Sequence, residues 1–178
     1  MIQQLLRLAR LESGLEQEDE EVYDLDELLQ QVCLDNQFTA EQTSKQVHLL
    51  SSAPISLRGY RELLKRALDN ILRNAIRFTP EGGRVEVEVL SRSNDSIVIQ
   101  VKDSGTGVQD DKLDAIFQPF VRASSDRSGA GLGLAIARQA VHANRGTIRA
   151  LNRVEGGLLI EICLPYVSSD QTESAIHN

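Results

Sequence analysis

The stretch from Tyr60 to Phe78 constrains the fold most, because its two sides ask for different surroundings. Leu63, Leu64, Ala67, Leu68, Ile71, Leu72 and Ala75 recur at the helical period and form a wide apolar stripe. A stripe of that width needs another layer packed over it. The other side sets Asn70 and Asn74 four residues apart, with Arg77 three further on, so the three share a face. Thr79-Pro80 ends the helix and Gly82-Gly83 turns the chain.

Helices and strands alternate irregularly around this element. Asp24, with Glu27 three residues on, reads as a capping box opening a helix over Leu25–Ser44. Short strands are expected at Val47–Leu50 and Ile55–Arg58. Arg84–Leu90 and Ser96–Val101 read as a hairpin turning at Asn94-Asp95. Lys112–Phe117 reads as a short helix, and Arg122–Gly129 as a polar loop. Leu132–Ala143 is helical, and Gly146–Leu151 and Leu158–Leu164 are strands joined by Glu155-Gly156-Gly157. Hairpins without regular βαβ units predict a two-layer α/β sandwich, with a mostly antiparallel or mixed sheet on three helices.

At 178 residues, 41% of them apolar, the chain suits one domain plus a short appended element. The longest apolar runs are too short to cross a bilayer, and Met1 does not open a signal peptide. A formal charge of -7 argues against nucleic acid as a main partner. Cys33 and Cys163 belong to no CxxC, and three scattered histidines offer no zinc site. Both cysteines read as reduced, partly buried thiols.

Three constellations carry chemistry. Asn70 and Asn74 present two neutral oxygens beside the Arg77 cation, a cradle suited to a magnesium–triphosphate; two asparagines also suit an ordinary polar helix face. Asp103-Ser-Gly105-Thr-Gly107-Val108 follows a strand directly. It sets an acceptor for an amine donor beside glycines that permit close approach, and it equally fits a plain turn. Gly129-Ala-Gly131-Leu132-Gly133-Leu134 opens a helix, whose free amides and positive dipole end favour phosphate. No Lys-Ser/Thr follows, so it is not a Walker loop, and the preceding polar loop makes it a poor Rossmann motif. Between the last two lies Phe117-Gln-Pro119-Phe120-x-Arg122, an aromatic anchor with a basic residue.

In this order and spacing, the motifs resemble the catalytic ATP-binding domain of sensor histidine kinases, in the GHKL ATPase superfamily. LLKRALDNILRNAIRFTP looks like the N box, DSGTGV the G1 box, IFQPFVR the F box and GAGLGLAIA the G2 box. The resemblance spans about Asp24 to Pro165, and its phrasing is similar to the envelope-stress sensor type. It implies the Bergerat sandwich fold, with Mg2+ and ATP as ligands. Asn74 would bind the metal and Asn70 would help order metal or phosphates. Arg77, a basic residue facing the phosphates, stands where the family more often has Lys. Phe78 would pack by the adenine. Asp103 would accept from the adenine N6 amine, with Gly105 and Gly107 admitting the base. Residues 122–129 would form the lid, hinged at Gly129, Gly131 and Gly133. Amides near Leu132 and Leu134 would meet the phosphates. Asn70, Arg77 and Arg122 are the candidate catalytic residues.

Related chaperone and topoisomerase ATPases carry Glu at the first N-box position. Asn70 cannot act as a general base there, so slow hydrolysis and transfer of the γ-phosphoryl to a histidine are expected. None of His48, His142 or His177 sits in a phosphoacceptor context. The resemblance therefore places the acceptor on an upstream dimerisation domain. Ile2, Leu5, Leu6 and Ala9 line one helical face. Residues 1–23 thus read as the end of the second dimerisation helix plus an acidic linker, 24–166 as the catalytic domain and 167–178 as a disordered tail. A response regulator would be the downstream partner. The whole protein would be a homodimer anchored in a bacterial inner membrane, with this domain on the cytoplasmic side. Leu158 stands where the family often has Thr, which removes a hydroxyl near the nucleotide.

Overall fold

The computed structural model describes residues 19–51, 55–93, 95–121 and 131–166. The segments expected to form the dimerisation-helix remnant, the lid and the tail lie outside these residues.

The described chain opens with β1 (Glu21–Asp24), followed by α1 (Leu25–Glu41), β2 (Gln46–Ser51), β3 (Ser56–Gly59) and α2 (Arg61–Phe78). Then come β4 (Arg84–Ser93), β5 (Ser96–Lys102), α3 (Gly133–Ala143), β6 (Thr147–Asn152) and β7 (Leu158–Pro165). Two strand groups form. β1 and β3 pair antiparallel, and a five-stranded sheet has the order β2-β4-β5-β7-β6. In that sheet β2 and β4 run parallel, while the other neighbours are antiparallel. This is the mixed sheet under three helices that the periodicities predict.

Alternation along the strands explains the layers. Val85 and Val87, Ile97, Ile99 and Val101, and Ile160, Ile162 and Leu164 turn toward the helices and are buried. Their partners on α2 are the expected stripe, with Ile76 added to it. The opposite face carries polar pairs: Lys102 donates to Glu88 at 2.7 Å, and Glu161 accepts from Gln100 at 3.0 Å and Arg149 at 2.7 Å. A half-polar sheet of this kind is stable with helices on one side only.

The helix ends follow from local chemistry. Asp24 accepts from the amides of Asp26 (2.8 Å) and Glu27 (3.4 Å) and so caps α1 as expected. That helix stops at Glu41 rather than Ser44, because Ser44 takes a left-handed φ of 54°. Thr79 closes α2: its amide and hydroxyl both donate to the Ala75 carbonyl, at 3.0 and 2.8 Å. At the other end, Tyr60 offers no side-chain cap. Asn144, just past α3, takes over. Its Oδ1 accepts from the Tyr60 amide at 2.8 Å, and its Nδ2 donates to the carbonyls of Tyr60 (3.3 Å) and Ala140 (3.0 Å). One buried amide thus ties the start of α2 to the end of α3.

Two expectations change. β1 takes in Glu21, Val22 and Tyr23, which the sequence reading placed before the folded domain; Val22 pairs with Arg58 and Tyr23 with Leu57. The helix expected over Lys112–Phe117 is instead two single turns of 3-10 helix, Asp110–Lys112 and Ala115–Phe117. Their closing bonds run three residues back, from Leu113 to Asp110 and from Gln118 to Ala115. Cys33 is buried, and burial pushes its thiol up to about 11, so it stays protonated and unreactive at neutral pH.

Candidate functional site

β5 lies at the centre of the sheet and delivers Asp103 just beyond its last residue. Asp103 is 4% exposed, an unusual position for a carboxylate. Its Oδ1 accepts from the amides of Gly105 (2.8 Å) and Leu158 (3.0 Å). Among the described residues nothing donates to Oδ2. Burial raises the carboxyl above its usual range, while the two amides and the Arg153 guanidinium pull it back down. A carboxylate held by one oxygen, with the other left over, is poised to receive a donor from outside the chain.

The glycines around Asp103 answer first to this chain's own atoms. A Cβ on Gly105 would stand 2.6 Å from the Phe78 carbonyl oxygen. That close approach brings the end of α2 against the turn after Asp103. Gly107 adopts a φ of 72°, and a Cβ there would meet Asn152 Oδ1 at 2.6 Å.

α2 presents the polar face that its spacing predicts. Asn70 Nδ2 is tied back to the Arg66 carbonyl at 3.0 Å, which orients its Oδ1 outward. A Cβ on Gly133 would come within 3.3 Å of that Oδ1. The first turn of α3 therefore sits directly against Asn70. Asn74 is half-buried, and its amide makes no hydrogen bond among the described residues. The Arg77 guanidinium lies over the Phe78 ring, 5.2 Å from the centroid. At the start of α3, Leu132 supplies no side-chain cap, so among the described residues the first amides of the helix have no capping acceptor. Leu134 packs on the core. Gly131 has a φ of 71°, and its carbonyl accepts from the Phe120 amide at 2.9 Å. Phe117 is buried as an anchor, whereas Phe120 is half-exposed, with a φ of 65°. Arg122 and Gly129 fall outside the described residues.

The structure thus brings Asn70 to Gly133, and Phe78 to Gly105 and Asp103. It also adds side chains that sequence reasoning missed. Asn152 and Arg153, at the end of β6, grip the turn after β5. Leu158 explains why a missing hydroxyl matters little to Asp103: its main-chain amide makes the bond, and its side chain is buried in the core.

Comparison with known proteins decides the family. Residues 59–168 match the model described as histidine kinase-, DNA gyrase B-, and HSP90-like ATPase. The chain belongs to that ATPase family. Within it, the chain is an ATP-binding catalytic domain of the sensor histidine kinase type. It is 34% identical over 175 residues to the sensor histidine kinase RppB of Synechocystis sp., covering 94% of this chain and 38% of that protein. It is 38% identical over 139 residues to the sensor histidine kinase CpxA of Escherichia coli K12, covering 74% and 30%. The solved structure of full-length ShkA in complex with AMPPNP superposes with a TM-score of 0.78 at 26% identity, covering 93% of this chain and 35% of that one. The chain thus spans well under half the length of the relatives it matches. Among the described residues of this ATPase domain, no helix is long and apolar enough to cross a membrane.

Proposed function

We propose that this domain seats Mg-ATP and presents the γ-phosphoryl to a histidine on the dimerisation domain of a larger sensor kinase. The observation that carries this reading is Asp103. Its buried carboxylate has one oxygen occupied by two amides and the other available, which suits the exocyclic N6 amine of adenine. The Phe78 carbonyl lies against Gly105 in that turn, and its ring would pack by the adenine. From there the nucleotide would run along α2, with its phosphates between Asn70, Asn74 and Arg77 on one side and the free amides of α3 on the other.

The donor set fits magnesium. Among the described residues no three His, Cys, Asp or Glu side chains cluster to hold a metal. Asn74 offers an unengaged amide, and magnesium is commonly held by few protein oxygens together with phosphates and water. When bound, the metal neutralises charge on the phosphates. Asn74 would supply an oxygen ligand and Asn70 would order its neighbours. Arg77 would add positive charge, and Arg122, at the end of the F box, would contribute another cation. Gly129, Gly131 and Gly133 would give the covering loop its freedom, with amides near Leu132 and Leu134 turned to the phosphates.

Asn70 shapes the reaction. A neutral amide cannot take a proton from water, so hydrolysis by the isolated domain is slow. Catalysis comes from alignment and charge stabilisation of a transfer to another nucleophile. The acceptor histidine, a response regulator downstream and a membrane-anchored homodimer belong to this proposal for the whole protein.

The test mixes this chain with Mg-ATP labelled at the γ-phosphate and with its dimerisation domain. Acid-labile phosphohistidine on the dimerisation domain is expected, with little free phosphate released without it. Saturable nucleotide binding with no phosphohistidine would overturn the transferase reading and leave a nucleotide sensor.

A further inference from the structure

The turn that would receive the base is held from behind by two adjacent side chains with no role in the reading above. Asn152 is the last residue of β6. Its Oδ1 accepts from the Val108 amide at 2.9 Å, while Nδ2 donates to the Val108 carbonyl and to Asp110 Oδ1, both at 2.6 Å. One side chain therefore satisfies both main-chain groups of Val108 and pins the loop that follows Gly107. Arg153 comes next and takes the other side. Its Nη1 donates to the Asp103 main-chain carbonyl at 2.6 Å, with the side chain largely buried. The turn that carries it is closed by bonds from Arg153 N to Gly157 O (3.0 Å) and from Gly156 N to Arg153 O (3.1 Å).

We propose that Asn152 and Arg153 form a positioning clamp for base recognition, in which Asn152 fixes the loop over the base while Arg153 fixes Asp103 and holds positive charge behind its carboxylate. The proposal rests on the reading that Asp103 receives adenine. The geometry favours a role beyond scaffolding, because the group that holds the carbonyl is a largely buried cation rather than a neutral donor. A buried guanidinium there also acts on the carboxylate of the same residue. Among the described residues, the other charges near the site are engaged elsewhere. Lys102 pairs with Glu88, Arg77 lies over Phe78, and Asp110 is held by Asn152. Glu155 stands 3.7 Å from Arg153 but is 78% exposed, so solvent screens its pull.

The consequence is a pH dependence with a definite sign. Once protonated, Asp103 would carry a donor where the base amine needs an acceptor, so binding fails on the acid side. Burial already raises this carboxyl and Arg153 opposes that rise. Removing the guanidinium should therefore move the acid limb of binding to higher pH.

The experiment titrates Mg-ADP into the whole chain across a pH series, for the parent, Arg153→Gln, Arg153→Lys and Asp103→Asn. Arg153→Gln should weaken binding about tenfold at neutral pH, the effect of one lost charge-assisted hydrogen bond. It should also shift the acid limb upward, and Arg153→Lys should restore the limb. A purely structural Arg153 would weaken binding equally at every pH. An unmoved limb in Arg153→Gln, with binding still lost in Asp103→Asn, would overturn the clamp and leave the base assignment intact. Full binding in Asp103→Asn would overturn both.

Discussion

Asp103→Asn is expected to abolish useful nucleotide binding while leaving the fold intact. Oδ1 must keep accepting from the Gly105 and Leu158 amides, so the asparagine oxygen takes that place. The new NH2 then occupies the Oδ2 position and faces the N6 amine, donor against donor. Losing a bond to a charged acceptor and leaving a desolvated donor unmatched together cost about 3 kcal/mol, or about a hundredfold in affinity. Stability responds in the other direction. The folded carboxyl is raised above its unfolded value. The folded state therefore holds the proton more tightly, and stability is lost as pH rises from the unfolded pKa through the folded one. Above that window the ionised group opposes folding, so the neutral amide should unfold at or above the parent's temperature. Calorimetric titration with Mg-ATP and a thermal melt at neutral pH check both halves.

Gly157→Ala should be the most damaging alanine substitution among the described glycines. The glycine has a φ of 98°, and a Cβ would stand 2.1 Å from the Asp103 carbonyl oxygen and 2.8 Å from its carbon. Both are backbone atoms of the strand end that the ligand needs, so neither can swing aside. The turn must lift, taking with it the Leu158 amide and the Arg153 guanidinium. Strain of this kind costs about 3 kcal/mol or more, roughly 10 °C in midpoint for a domain of this size. Gly156→Ala is the control. Its φ of 92° is just as unfavourable, but the nearest atom to a Cβ is 3.9 Å away. Only the backbone penalty of about 1–2 kcal/mol remains. Thermal melts of the two variants should therefore differ, with Gly157→Ala melting lower. Equal melting would show that the turn is free to rise.

The legible and illegible parts of the site divide by sequence distance. Asn70, Asn74 and Arg77 were legible because one helical period sets their common face, and Asp103 because a strand with its glycines announces it. Asn144 meets Tyr60 across 84 positions, Arg153 meets Asp103 across 50, and Asn152 meets Val108 across 44. No local spacing encodes such contacts. β1 escaped notice because four residues, EVYD, are too few to show a period. The glycines after Asp103 suggest room for a base, whereas in the structure the Phe78 carbonyl lies close against Gly105 and the Asn152 side chain against Gly107.

The most direct test of the account is a pair of titrations of this chain, with Mg-ATP and with Mg-GTP. Guanine places a carbonyl oxygen where adenine has its N6 amine, so the Asp103 carboxylate would meet an acceptor. Saturable one-to-one binding of ATP is expected, with at least about a hundredfold weaker binding of GTP, the discrimination of a buried group left unmatched. Equal affinities for the two nucleotides would contradict it.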